Sequence, residues 1–333
     1  MHAVVLVGGF GTRLRPLTWT VPKPLLPVGN VRQIEHVVAG LGRHGVTRVV
    51  LALGFKAEPF LEAYPDGTCA GIPLHFAVEP EPLDTAGAIA FAARDAGITD
   101  TFVVMNGDIL CDLDVSALVD FHRARGARAT LHLVPVPDPS QYGVVETDGQ
   151  GMVRRFVEKP APGESDSRHI NAGTYVLEPS VLDMVPPGGR ISIEREIFPV
   201  LAAGGELAAM ATDDYWIDTG RPETYLRANL DIIDGTRPVI LAATGPHATV
   251  GATASVVHSV VGEGAVVGDG CVLVDSVVLP GARLAPRVRL ERSIVMGTVG
   301  EGSTLVDCVV GAEGAVPPHS DLSGARVPDP ERG

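Results

Sequence analysis

At 333 residues the chain is long for a single compact core, so two domains are expected. Its 45% hydrophobic and 20% charged residues describe a globular protein and exclude a disordered one. A formal net charge of −14 excludes nonspecific binding to nucleic acid or to an anionic membrane, so a polyanionic substrate must be held by local cations against the field of the whole protein.

Residues 1–7 carry no basic leader, and their apolar run is too short for a signal peptide. They predict a first strand that ends in glycine. The loop Gly8-Gly9-Phe10-Gly11-Thr12-Arg13-Leu14-Arg15-Pro16-Leu17-Thr18 follows. Its glycines let backbone N–H groups approach an anion, and Thr12 adds a hydroxyl donor. It is not a P-loop, because no Gly-Lys-Ser/Thr closes it. It is not a dinucleotide fingerprint either, since Leu14 stands where a third glycine is required. Arg13, Arg15 and then Lys23, held between Pro22 and Pro24 in stiff non-helical backbone, add cations beside the anion cradle. Only three of the 26 basic residues are lysine (Lys23, Lys56 and Lys159), and two of these fall in motifs. In so arginine-rich a chain, a retained lysine marks a place that needs a compact ammonium.

Apolar runs at 4–7, 49–53, 74–78 and 102–105 predict strands buried in a parallel sheet. Between them, Asp84 or Thr85 can cap a helix running to Ala96 with Gly97 as its stop, and Ser116 can cap one running to Arg125, stopped by Gly126. Pro222 suits the first turn of another. The alternation indicates an α/β domain over residues 1–235, Rossmann-like with a mixed or parallel sheet, binding its ligand at the carboxyl ends of the strands. Asn106-Gly107-Asp108 places a carboxylate at such a strand end, where a metal can bind. Tyr215-Trp216-Ile217-Asp218-Thr219-Gly220 offers a second.

After a linker over 236–246, the rhythm changes. Glycines and branched aliphatics recur about every six residues, as in Val261-Gly262-Glu263-Gly264-Ala265-Val266 and the hexad after it. This period predicts a short parallel β-helix of hexapeptide repeats over 247–322, of the left-handed kind, with roughly four coils. Val316-Pro317-Pro318 is expected to cap one end. The segment has no lysine and no phosphate motif, so it is expected to serve assembly into a homodimer or homotetramer rather than chemistry. Four cysteines (Cys69, Cys111, Cys271 and Cys308) lack paired or metal-type spacing and read as reduced thiols of a cytoplasmic protein. No run reaches the roughly 20 apolar residues that span a bilayer.

The run from Gly8 to Thr18, followed by Pro22-Lys23-Pro24-Leu25, resembles the signature of the sugar-1-phosphate nucleotidyltransferases. The nearest branch is the mannose-1-phosphate guanylyltransferases (GDP-mannose pyrophosphorylases), many of which carry a C-terminal hexapeptide β-helix. Lys23-Pro24 differs from the Lys-Gln usual in thymidylyltransferases. The resemblance implies nucleotide binding by Gly8, Gly9, Gly11 and Thr12, and by the segment 79–87, including Glu79 and Thr85. It implies Mg²⁺ binding by Asp108 and Asp218, and sugar-phosphate binding by Gly143, Glu158, Lys159 and Asn171. Lys159 is assigned to the acceptor phosphate and Glu158 to a sugar hydroxyl. Adjacent strand residues point to opposite faces, so both can serve only if Pro160 marks an irregular strand end. Glu79 suits guanine, whose N1–H and N2–H donors lie side by side. One position departs from the family: Asp84 stands where related guanylyltransferases usually have glycine.

The activity implied is in-line attack of a sugar 1-phosphate on the α-phosphorus of GTP, with Arg13, Lys23, Asp108 and magnesium as the catalytic groups. The sugar is open between mannose and another sugar or cyclitol phosphate. Alternatives are a glucose-1-phosphate thymidylyl-, uridylyl- or adenylyltransferase, a nucleotide-sugar-binding regulatory subunit, and a hexapeptide acyltransferase using His258 or His319.

Overall fold

The computed structural model describes residues 1–9, 11–54, 57–161 and 163–330, which leaves Phe10 and Lys56 outside it. These residues form two compact units, and the division is discontinuous in sequence: residues Met1–Gly8 with Glu35–Trp216, and Gly9–Ile34 with Ile217–Gly333. The segment 9–34, which holds most of the glycine loop, therefore groups with the C-terminal half.

The first unit is built on a mixed sheet. The order of its main path is Val153–Glu158, Gly143–Thr147, His169–Leu177, Phe102–Asn106, His2–Leu6, Arg48–Leu53, Ile72–Val78 and Thr68–Cys69. The four predicted strands are all present. His2–Leu6 lies parallel between Arg48–Leu53 and Phe102–Asn106, and Ile72–Val78 extends the parallel part. The antiparallel strand His169–Leu177 turns the sheet into its second half. It also pairs with Ala129–Pro135, and the register slips between Asn171 and Tyr175. Burial on both faces explains the unbroken apolar runs: Val4, Val5, Val50, Val103 and Val104 are wholly buried.

Two helix starts differ from expectation. The helix Val115–Arg125 is capped by Asp114, which accepts from the Ala117 amide at 3.0 Å, while Ser116 lies inside the first turn. Asp114 takes the place because its extended backbone (φ −72°, ψ 93°) aims the carboxylate at the free amides. At Asp84–Asp95 the cap position is Leu83, and Asp84 is the first helical residue with φ 60°. Its carboxylate accepts from the adjacent Thr85 amide at 2.8 Å instead of spanning a turn. A left-handed φ is where glycine fits without strain and where aspartate is among the better-tolerated substitutes. The helix Pro222–Asp231 begins at proline as expected.

The second unit contains the β-helix. Three parallel sheets each hold five strands, so the stack has five coils, one more than the hexad count suggests. Strands of one sheet begin at Thr249, Val266, Arg283, Thr298 and Ala315. Equivalent residues are 17 apart in most coils and 15 apart at the coil that slips near Pro286. Leu273, Leu290 and Leu305 stack in register inside, all fully buried. Beside them runs a column of buried hydroxyls. Ser259 accepts from the Ser276 amide, Ser276 from the Ser293 amide, and Ser293 from the Cys308 amide, at 2.9–3.1 Å. Each serine also donates to a carbonyl two residues back, so no polar group of the column is stranded. Pro317 and Pro318 do not cap the stack. They sit within the last coil, which continues through Asp321–Ser323 to Arg326–Val327. No helix among the described residues is long and apolar enough to cross a membrane.

Candidate active site

In the second unit the nucleotide loop turns at Gly11, whose φ of 58° carries the chain into a short 3-10 turn, Thr12–Leu14. The Thr18 hydroxyl donates to the Gly11 carbonyl at 2.7 Å, and a Cβ at Gly11 would meet Thr18 Cγ2 at 2.9 Å. Gly9 and Thr12 are exposed on the loop. Lys23 is 5% exposed and sends its ammonium to Asp218 Oδ1 at 3.2 Å. Arg13 Nη2 lies 3.7 Å from the other oxygen of that carboxylate, and the Gly220 amide donates to Oδ1 at 2.8 Å. A Cβ at Gly220 would stand 2.6 Å from the Arg13 guanidinium and 3.2 Å from the lysine nitrogen, so a side chain there would displace the ends of these cations. The two prolines flanking Lys23 fix the backbone from which so deeply buried a lysine can reach Asp218.

In the first unit Asp108 follows Gly107, which packs against the first strand. The Gly107 amide donates to Leu6 O at 2.8 Å, and a Cβ there would meet Val7 Cγ1 at 2.7 Å. Glu79 sits just past the strand Ile72–Val78. Its Oε2 accepts from the Leu83 amide at 3.0 Å, and its Oε1 faces Gly8, 4.0 Å from where a Cβ would be. Burial pushes the Glu79 carboxyl above its ordinary value, against the opposing pull of the Leu83 amide.

Gly143 and Glu158 are directly opposed across an antiparallel pair, and a Cβ on Gly143 would come within 2.8 Å of Glu158 Oε2. The strand ends at Glu158, and Lys159 takes φ 51°, which breaks the alternation. Its ammonium thereby lies 3.8 Å from Glu158 Oε1, so both side chains serve one side. Burial raises the Glu158 pKa, and the nearby Glu194 carboxylate raises it further, partly offset by Lys159 and Arg195. Asn171 sits at the register slip. It donates to the Tyr175 hydroxyl and accepts from the Gly173 amide, both at 3.0 Å, which holds the irregularity where the pairing register shifts.

Thr85 is occupied within the protein. Its hydroxyl donates to Glu194 Oε2 at 2.6 Å and accepts from the Ile193 amide at 2.9 Å. Glu194 and Arg195, which the sequence did not single out, lie against Thr85 and Asp84 and act on the Glu158 carboxyl. They lie in a single π-turn, Ile193–Ile197, a form often found where function needs an irregular helix. Arg195 pairs with Asp84 at 2.7 Å. The only sequence signal is Ser192 with Glu196, which reads as an ordinary cap for the helix that follows.

Asp108 belongs to the first unit and Asp218 to the second. Among the described residues no group of three or more His, Cys, Asp or Glu could hold a metal. The donors nonetheless suit a hard divalent cation of the magnesium type, which takes one or two carboxylates and completes its shell with phosphate and water. At Asp218, Oδ1 takes two donors, Lys23 Nζ and the Gly220 amide, while Arg13 lies 3.7 Å from Oδ2.

The family model for nucleotidyl transferases matches residues 2–235, taking in the glycine loop, Lys23, Asp108, Glu158 and Asp218. The chain belongs to the nucleotidyl transferase family. Members generally use a divalent metal. A mannose-1-phosphate guanylyltransferase of Mycobacterium tuberculosis is 41% identical over 240 residues, covering 72% of this chain and 66% of that protein. One from Schizosaccharomyces pombe is 42% identical over 250 residues, covering 73% and 68%. This chain thus spans about two thirds of the length of these family relatives. HddC from Yersinia pseudotuberculosis matches at TM-score 0.60 and 30% identity, covering 68% of this chain and 97% of HddC. HddC complexed with GMP-PN matches at TM-score 0.58 and 29% identity, with the same coverage.

Proposed function

We propose that this nucleotidyltransferase is a magnesium-dependent guanylyltransferase that joins GTP to mannose 1-phosphate, or to a closely related sugar or cyclitol 1-phosphate, and releases pyrophosphate. The observation that carries the reading is the buried Lys23, which shares the Asp218 carboxylate with Arg13 of the glycine loop. Two cations fixed beside a backbone anion cradle neutralise charge that develops on a triphosphate during transfer. The acceptor phosphate is already an anionic nucleophile, so the reaction needs alignment and no general base. Arg13 and Lys23 bind and neutralise the triphosphate, Lys159 holds the acceptor phosphate, and Glu158 takes a sugar hydroxyl. Asp108 and Asp218 are the carboxylates that would hold magnesium, which when bound would neutralise further phosphate charge.

Guanine preference rests on Glu79, whose carboxylate has one oxygen fixed by the Leu83 amide and the other turned toward Gly8. A carboxylate suits the paired N1–H and N2–H of guanine and is poorly matched by uracil or thymine. The test is pyrophosphate release from each triphosphate against several 1-phosphates. GTP should be the best donor by at least tenfold, and Glu79→Gln should erode that margin. Better turnover of dTTP or UTP refutes the guanylyl assignment. We also propose a homodimer or homotetramer, which light scattering on the eluting protein would measure directly.

A further inference from the structure

The last coil of the β-helix reaches the nucleotide loop. Arg326 stands in register with Val309 at the end of a five-stranded parallel sheet, which fixes where its side chain leaves the stack. Its Nη1 donates to the carbonyl oxygens of Arg13, at 3.1 Å, and of Arg15, at 3.0 Å. Leu14, between those carbonyls, is fully buried. One coil earlier, Gly311 lies directly under the same turn. A Cβ there would meet Pro16 Cβ at 2.8 Å and Pro16 O at 2.9 Å, so the approach is possible only for glycine. The Gly311 amide donates to Val327 O at 2.8 Å, which ties the surface under Pro16 to the strand that carries Arg326. One guanidinium nitrogen thus grips the Arg13–Leu14 and Arg15–Pro16 peptides, two residues apart, and Gly311 lets the stack approach Pro16. The turn so held carries Arg13, whose side chain reaches Asp218.

We propose that Arg326 is a positioning residue for the nucleotide loop, so that the β-helix takes part in turnover by fixing the backbone that presents Arg13. This departs from the division of labour expected of a purely assembling repeat. It rests on the reading of Arg13 as a phosphate-neutralising residue. A misplacement of about 1 Å in such a group can cost two orders of magnitude in rate.

The test is made on the full chain with Arg326→Ala and Arg326→Lys, using whichever triphosphate and 1-phosphate the unsubstituted enzyme turns over best. Arg326→Ala should lower kcat about tenfold, with the KM of the acceptor changed less than twofold. Arg326→Lys, able to bond a carbonyl through its ammonium, should recover part of the loss. Ethylguanidinium added to Arg326→Ala should raise turnover where the same concentration of sodium chloride does not. In parallel, hydrogen exchange should show faster loss of protection at the amides of Leu14, Arg15 and Trp19, which bond within the loop, while the amides of the coils keep theirs. Both changes together support the proposal. Wild-type kcat overturns it, and so does a slowed enzyme whose loop amides exchange as before. The guanylyltransferase reading fails separately, on the unsubstituted enzyme's choice of substrates.

Discussion

Lys23 is unusual for a lysine in being 5% exposed, and burial of that kind is tolerated because Asp218 lies 3.2 Å away. Removing the ammonium strips a fixed cation from the triphosphate side. Lys23→Ala should therefore lose on the order of 10²–10³ in kcat, measured by pyrophosphate release, and a variant within threefold of wild type would remove Lys23 from the chemistry. Lys23→Arg should rescue poorly, because a planar fork does not fit a slot shaped for a compact charge. Glu79 makes a different forecast. Burial raises its pKa above the ordinary 4.5, and only the ionised carboxylate accepts both guanine donors. Acceptance is then lost as pH falls through a value above 4.5. The acid limb of kcat/KM for GTP should lie correspondingly high and flatten in Glu79→Gln, the comparison between the two enzymes cancelling the titration of GTP itself.

Among the elements, the helix Asp84–Asp95 shows how a local rule and a backbone requirement differ. Asp84 looks like a cap, yet φ 60° makes it a substitute for glycine that gains an ion pair with Arg195. Asp84→Gly should keep a thermal midpoint close to wild type, while Asp84→Val should fall below Asp84→Gly by on the order of 5 °C. Differential scanning fluorimetry distinguishes the two, and equal midpoints would deny the backbone argument. The same contrast separates what was legible in the sequence from what was not. Three of the four parallel strands could be read because burial on both faces leaves continuous aliphatic runs, whereas Ile72–Val78 is mostly half-buried with Val78 exposed. The β-helix could be read because each inward position, such as Leu273 or Leu290, must be aliphatic. The coil count was misjudged because a coil here takes 17 or 15 residues, fewer than three hexads, and a column of serines runs beside the aliphatic one. Glycines at 143 and 220 were ambiguous in sequence, since only the contacts a Cβ would make with Glu158 or Arg13 reveal why they are glycine. Arg326 was invisible, because its bond partners lie 313 and 311 residues away and no local pattern records them.

For the molecule as a whole, Asp108 lies near the middle of the catalytic sequence and Asp218 near its end, and the two belong to different compact units. If both bind one magnesium, either Asp→Asn change should raise the magnesium concentration needed for half-maximal rate. The double variant should then be little slower than the slower single one. Strictly multiplicative losses would show that they act on separate events.

The grip of the last coil on residues 13 and 15 also sets an order of events during synthesis. The glycine loop leaves the ribosome well before the last coil, because Arg326 follows 313 positions after Arg13. At roughly 5–20 residues per second, the loop waits tens of seconds for its partner. A nascent chain stalled before residue 326 should therefore hold a nucleotide loop that is still mobile.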